Sequence, residues 1–196
     1  MNSLLALKKE CLSCRKCGLG GPCLEGMLAN VFSNMCVHPR LMVVGQNPGR
    51  EEVERGQPFV GTSGKFFDSM MLEHVGLTRK DMYICNTVCC YTPGNRKPSQ
   101  NEIDTCRDFL DRQIELVKPM IIVALGSPAF KQLTGMSGIT KHRGIPEFSI
   151  RYKCHVFPLL HPSPYNTSTA DGKAAYAEDL KILKAFLLKR EAEDGR

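Results

Sequence analysis

Five short stretches of this chain carry side chains able to do chemistry. Gly45-Gln-Asn-Pro-Gly49 holds two carboxamides in a tight loop. Asn86 lies in an apolar run, Gly126-Ser127 closes another, and His161-Pro-Ser-Pro164 sets an imidazole ahead of two prolines. The fifth stretch, Gly56-Gln-Pro-Phe-Val-Gly61, fixes Phe59 between punctuating residues. A carboxamide offers a donor and an acceptor side by side, so a crevice lined by amides can read a planar heterocycle. An aromatic ring can stack on such a ligand, and a histidine can stabilise negative charge that appears on a leaving group. There is no Ser-His-Asp order, no His-x-x-x-His zinc pattern, and no Walker A sequence in the loop. The set suits a nucleobase better than a phosphate.

Cysteine is the second chemical resource. The chain has 10 cysteines in 196 residues, with Cys11-x2-Cys14-x2-Cys17, Cys23 and Cys36 all in the first forty. That opening segment is poor in periodic hydrophobes beyond a short helix expected at Ser3–Glu10, so a bound metal is a natural way to hold it. No secretory leader and no membrane-length apolar run are visible, which points to a reducing interior, cytoplasmic or nucleoid-associated. Many cysteines in such a compartment indicate metal or cluster ligation before disulfides. Four thiolates at these spacings suit zinc and an iron–sulfur cluster equally.

The elements that must position these groups alternate. Strands are expected at Leu41–Val44, Met82–Val88, Met120–Leu125 and His155–Leu160. Helices are expected at Gly64–His74 (with Thr62-Ser63 as its cap), from the capping box Ser99-Gln-Asn-Glu102 to Val117, at Pro128–Leu133 and over Asp171–Arg190. Strand–helix alternation gives an α/β fold around a central, largely parallel sheet. The C-terminal ends of parallel strands share one edge, where ligands bind. Gln46, Asn47, Asn86, Ser127 and His161 all follow or close strands, so one crevice can collect them. A charge of +6, from 26 Lys and Arg against 20 Asp and Glu, is compatible with a nucleic-acid partner.

Gly45-Gln-Asn-Pro-Gly49 together with His161-Pro-Ser-Pro164 resembles the two signature loops of the uracil-DNA glycosylase superfamily, and its iron–sulfur family 4 branch most of all. Gly56-Gln-Pro-Phe-Val-Gly61, Tyr83-Ile-Cys-Asn86, Pro93-Gly-Asn-Arg96, Arg112-Gln-Ile-Glu-Leu116 and Ile139-Thr-Lys-His-Arg-Gly144 extend the likeness, in order, from Cys14 to the last helix. The resemblance implies one domain: a cluster-binding segment, 1–40, and an α/β core, 41–190, built as a three-layer sandwich with a central four-stranded, mostly parallel sheet. It implies an enzyme, a monomer, that flips uracil out of single- or double-stranded DNA and hydrolyses its N-glycosidic bond in base excision repair.

By the same resemblance Phe59 would stack on the base and Asn86 would read its O4 and N3 edge. His161 would hydrogen-bond O2, and Glu52, Gly45 and Gly49 would frame the pocket. Asn47 and Gln46 would position the attacking water. Ser127, Lys141, His142, Arg143 and Ser163 would meet the DNA, with Tyr165 as a wedge in the minor groove. Cys14, Cys17, Cys90 and Cys106 would hold a [4Fe–4S] cluster of structural purpose. Cys11 has the same spacing to Cys14 as Cys14 has to Cys17, and Cys23 and Cys89 are neighbours able to substitute.

The chain also departs from the branch. Gln46 replaces its usual Glu, and Asn47 resembles the mismatch-specific branch. Asparagine cannot act as a carboxylate base, so a slower enzyme is expected. Gly49 occupies the place of the Tyr that excludes the thymine methyl in the classical enzymes, which relaxes base selection. Two further readings are a catalytically weak DNA-binding homologue (a lesion sensor or a replication-complex subunit) and a zinc-stabilised nucleotide-binding module.

Overall fold

The computed structural model describes residues 2–195, without the side chains of Asn2 and Glu25. Its centre is a five-stranded sheet built from β3 (Leu41–Gly45), β4 (Met82–Asn86), β5 (Ile121–Leu125), β6 (Glu147–Ser149) and β7 (Cys154–Leu159), in the order β4-β3-β5-β7-β6. The first four in that order run parallel and β6 pairs antiparallel with β7. The apolar runs predict four strands. The fifth is three residues long with a single apolar side chain, Phe148, too short to show a period. A brief antiparallel edge of this kind limits unwanted strand pairing.

Every residue of β3, β4 and β5 is buried, which is why these strands read as continuous apolar runs rather than alternating ones. Successive side chains still pack on opposite faces. Leu41, Val43, Ile84, Val123 and Phe157 face α3 (Thr62–Met70) and α8 (Ala170–Asp194). Met42, Val44, Tyr83, Ile122 and Val156 face α4 (Gln100–Val117) and α5 (Ser127–Thr134). Each such side chain contributes about 1.5–3 kcal/mol through burial. Pro158 is tolerated inside β7 because β6 pairs only as far as Val156. The missing N–H therefore falls where no partner strand remains, while the Pro158 carbonyl accepts from the N–H of Gly144 at 3.0 Å.

Some boundaries differ from expectation. Helix α3 begins at Thr62 with Gly61 as its N-cap, so Thr62 is already helical and does not cap it. It continues through a π-helical turn, Met71–Val75, that ends on Gly76 at φ +82°. The Ser99 capping box forms as read: Ser99 Oγ accepts from Glu102 N–H at 3.3 Å, and a Glu102 carboxylate oxygen accepts from Ser99 N–H at 2.6 Å. The opening helix, α1 (Asn2–Ser13), packs on α4, and Glu10 pairs with Arg112 at 2.8 Å. After it come a two-residue hairpin, β1 (Pro22–Cys23) with β2 (Met27–Leu28), and a third apolar cluster, in which Leu7, Phe32, Val88 and Phe109 surround Cys11, Cys89 and Cys106. Among the described residues no helix is long and apolar enough to cross a membrane.

Candidate active site

The parallel strands deliver their C-terminal ends to one edge, and a cleft of about 460 Å³ opens there. Gln46, Asn47, Gly49, Glu52, Phe59, Asn86 and His161 all line it. Gly45 is directly in register with Asn86 across β3 and β4. A Cβ on Gly45 would lie 2.2 Å from the Phe59 ring and 2.5 Å from Asn86 Oδ1, so only glycine allows both to close over the strand end. The His161 ring centroid is 6.0 Å from that of Phe59.

Asn86 is 1% exposed, and neither its Oδ1 nor its Nδ2 has a hydrogen-bond partner. A buried donor or acceptor without a partner costs about 1–3 kcal/mol, so a donor–acceptor pair left open on a cleft wall is shaped for a ligand. Burial holds the His161 imidazole below its ordinary pKa, with the Glu52 carboxylate partly opposing. The ring is therefore neutral at physiological pH and can donate one N–H without bringing a full charge.

Phe59 is held in strain. Its φ is +54°, uncommon for a residue with a side chain, and such conformations persist where surrounding structure imposes them. Two supports do so. Arg79 donates to the carbonyls of Pro58, at 3.0 Å, and Phe59, and is itself anchored on Asp68 at 2.7 Å. Gly64 lets the Phe59 carbonyl approach helix α3, for a Cβ there would meet that oxygen at 2.0 Å. The Gly61-Thr-Ser-Gly64 spacing hints at Gly64, while Arg79 is a tertiary contact.

Glu52 lines the cleft but uses its carboxylate as a strut. It accepts from the N–H groups of Gly49 (3.0 Å), Val60 (2.8 Å) and Gly61 (2.7 Å), tying the amide loop to the Phe59 loop. Gly49 is required for that approach, since a Cβ there would sit 2.7 Å from the carboxylate. The backbone carbonyl of Gln46 accepts from Thr87 Oγ1 at 2.7 Å and Val88 N–H at 2.9 Å. These contacts pull the chain out of the ladder after Asn86, so the strand expected to reach Val88 ends there. Asn95, in the Pro93-Gly-Asn-Arg96 turn, and Lys97 just after it also line the cleft.

The expected DNA-contact residues fall into two groups. Ser127 is exposed at the first turn of α5, Ser163 is the N-cap of α7 (Pro164–Thr167), and Tyr165 beside it is 95% exposed. Lys141 is exposed too. His142 and Arg143 turn inward instead. His142 packs on Phe130 and meets Glu147 at 2.8 Å, while Arg143 binds Asp179 at 2.9 Å and the Ala175 carbonyl at 2.6 Å. Of that basic turn, Lys141 alone is presented outward.

Six of the ten cysteines, Cys11, Cys14, Cys17, Cys89, Cys90 and Cys106, line one small cavity. Asn30 staples its walls, donating to the carbonyls of Cys11 (2.8 Å) and Cys14 (3.4 Å) and accepting from Gly21 N–H (3.2 Å). The Cys106 thiol is held below its ordinary pKa by hydrogen bonding from Cys89, and Lys16 adds to this. Burial pushes the Cys90 thiol up. Cys11 and Cys89 are packed into the apolar cluster, whereas Cys14 and Cys17 are half-buried at the rim. Cys23 does not line the cavity. Among the described residues, no three metal-ligating side chains are gathered tightly enough to hold a single ion.

Residues 32–184 match the family model described as the uracil DNA glycosylase superfamily. The chain is 37% identical over 198 residues to a type-4 uracil-DNA glycosylase of Sulfurisphaera tokodaii, covering 96% of this chain and 86% of that one. It is 38% identical over 153 residues to a protein of the same name from Thermotoga maritima, covering 76% of this chain and 79% of the relative. Another from Archaeoglobus fulgidus is 40% identical over 126 residues, covering 64% and 61%.

Proposed function

The chain belongs to the uracil-DNA glycosylase superfamily, and from that premise we propose that it is a uracil-DNA glycosylase, which hydrolyses the N-glycosidic bond of uracil in DNA and leaves an abasic site for base excision repair. The orphaned amide of Asn86 carries this reading. Its Nδ2 donates to uracil O4 and its Oδ1 accepts from N3–H. Cytosine presents an amino group and a bare ring nitrogen at the same places and mismatches both.

The base must leave the stack to arrive there, at a cost of a few kcal/mol that is smallest in single strands and mismatches. Phe59 stacks on the extruded ring. His161, neutral and buried, donates to O2 as negative charge builds on the departing base. Asn47, with Gln46 beside it, orients water toward the anomeric carbon. Neither is a carboxylate, so departure of the base does most of the work. Ser127, Lys141, Ser163 and Tyr165 face the duplex side, and phosphate contacts make affinity fall steeply with salt.

The thiol cavity fits a [4Fe–4S] cluster. It gathers six thiols from the opening segment, the stretch after β4 and helix α4 beside an apolar wall, an all-sulfur donor set of the kind iron–sulfur clusters take. Cys14, Cys17, Cys90 and Cys106 would hold it, with Cys11 and Cys89 as packed thiols behind. When bound, the cluster supplies a structural cross-link between the opening segment, 1–40, and α4. The test is single-turnover release of base from oligonucleotides carrying uracil, hypoxanthine or mismatched thymine. Release of uracil above the others supports the assignment, and no release from any substrate overturns it.

A further inference from the structure

We propose that Thr92 is a positioning residue that fixes which end of the Asn47 carboxamide faces the cleft. The inference rests on the reading of that cleft as a uracil-excising site. Asn47 Nδ2 donates to Thr92 Oγ1 at 3.3 Å and to the Pro48 carbonyl at 3.1 Å. Thr92 is fully buried, and its own hydroxyl donates to the Arg96 carbonyl at 2.5 Å. A hydroxyl has one proton. Once that proton is given to Arg96, Thr92 has only lone pairs to offer, and only the NH2 end of Asn47 can meet them.

The amide is thereby locked in one of its two orientations. Both N–H groups are spent on protein acceptors. Oδ1, which no described residue supplies with a donor, is left to the cleft that Asn47 lines. An acceptor there accepts a hydrogen bond from the attacking water and leaves that water's lone pair aimed outward. The flipped amide would donate to the water and tie up the electrons it needs for attack. Thr92 thus makes an uncharged side chain present the acceptor face that a carboxylate would present. As the water oxygen bonds to the anomeric carbon, the glycosidic C–N bond breaks with its electron pair going to the base. The surplus proton of the water passes to solvent, because an amide oxygen orients it but does not keep it.

No motif or periodicity in the sequence marks Thr92. It sits two residues past Cys90 in a loop whose visible features are the Pro93-Gly-Asn-Arg96 turn and the following cap.

The test compares Thr92→Val, which keeps the shape and removes the lone pairs, with Thr92→Ser, which keeps the hydroxyl. Thr92→Val should lower the single-turnover rate on a uracil oligonucleotide roughly 10- to 100-fold with little change in KM, as expected for a mispositioned nucleophile. Thr92→Ser should recover most of it. In an Asn47→Ala background Thr92→Val should cost nothing more, because the two act as one unit. A wild-type rate in Thr92→Val, or an undiminished loss in the Asn47→Ala background, overturns the proposal. A second readout needs no turnover. The Asn47 side-chain amide protons, assigned by their loss in Asn47→Ala, should be protected from exchange in the wild type and in Thr92→Ser but not in Thr92→Val. If the wild type releases no uracil, the functional assignment fails, and the exchange readout still decides the orientation.

Discussion

Replacing Asn86 by Leu should stabilise the resting protein and cripple excision. Leu has nearly the shape of Asn and removes two buried polar atoms that have no partner. Each such atom costs about 1–3 kcal/mol, so a net gain of about 2 kcal/mol is expected. In a chain of this size about 1 kcal/mol moves Tm by about 2–4 °C, which gives a rise of about 4–8 °C. The same change deletes both hydrogen bonds to the base edge, together about 2.7 kcal/mol of discrimination, or roughly 100-fold in single-turnover rate. Thermal unfolding of the free protein and uracil release from a single-stranded oligonucleotide measure the two effects separately. A variant that is less stable and still excises at the wild-type rate would show that Asn86 is an ordinary core amide, and the reading of the cleft would fall with it.

Gly64→Ala should lower stability by about 1–3 kcal/mol and slow excision, since its methyl meets the Phe59 carbonyl. Helix propensity alone predicts a gain of up to about 1 kcal/mol, so a more stable variant in urea unfolding would refute the clash. The His161 imidazole, depressed by burial, should titrate below 6.5 by NMR. Its contribution to stability is then complete above pH 6.5 and is lost as pH falls through the folded value, and a midpoint above 6.5 would contradict the buried, neutral ring. Purified protein should be brown, with Cys90→Ser bleaching it and lowering Tm while Cys23→Ser does neither. A colourless wild type containing zinc would refute the cluster.

The strand ends were legible in the sequence because fully buried parallel strands leave continuous apolar runs, and the residue after each run must lie on one edge. That logic alone collects Gln46, Asn47, Asn86 and His161 in the cleft, while Ser127, expected there on the same ground, lines a separate cavity beyond the end of β5. It misses Glu147–Ser149, whose pairing is set by the neighbouring β7 and not by its own pattern. It also misses how the site is braced. Glu52, Arg79 and Thr92 work through backbone carbonyls and N–H groups, whose positions depend on the folded path of the chain. Arg143 shows the opposite error. A charge in a basic turn reads as solvent-facing, yet Asp179 on the last helix, distant in sequence, draws it inward.

The walls of the thiol cavity come from residues 11–30 and residues 89–109, and an isolated bridge between Asn30 and Cys90 joins them. During synthesis the leading cysteines leave the ribosome well before their counterparts exist. They must wait, reduced and unpartnered, until helix α4 has emerged and packed against α1. Any group that needs both walls can be seated only after residues 89–106 have joined the opening segment. Until then the leading thiols are open to oxidation, so recovery of folded protein should fall when thiol reductant is withheld during expression.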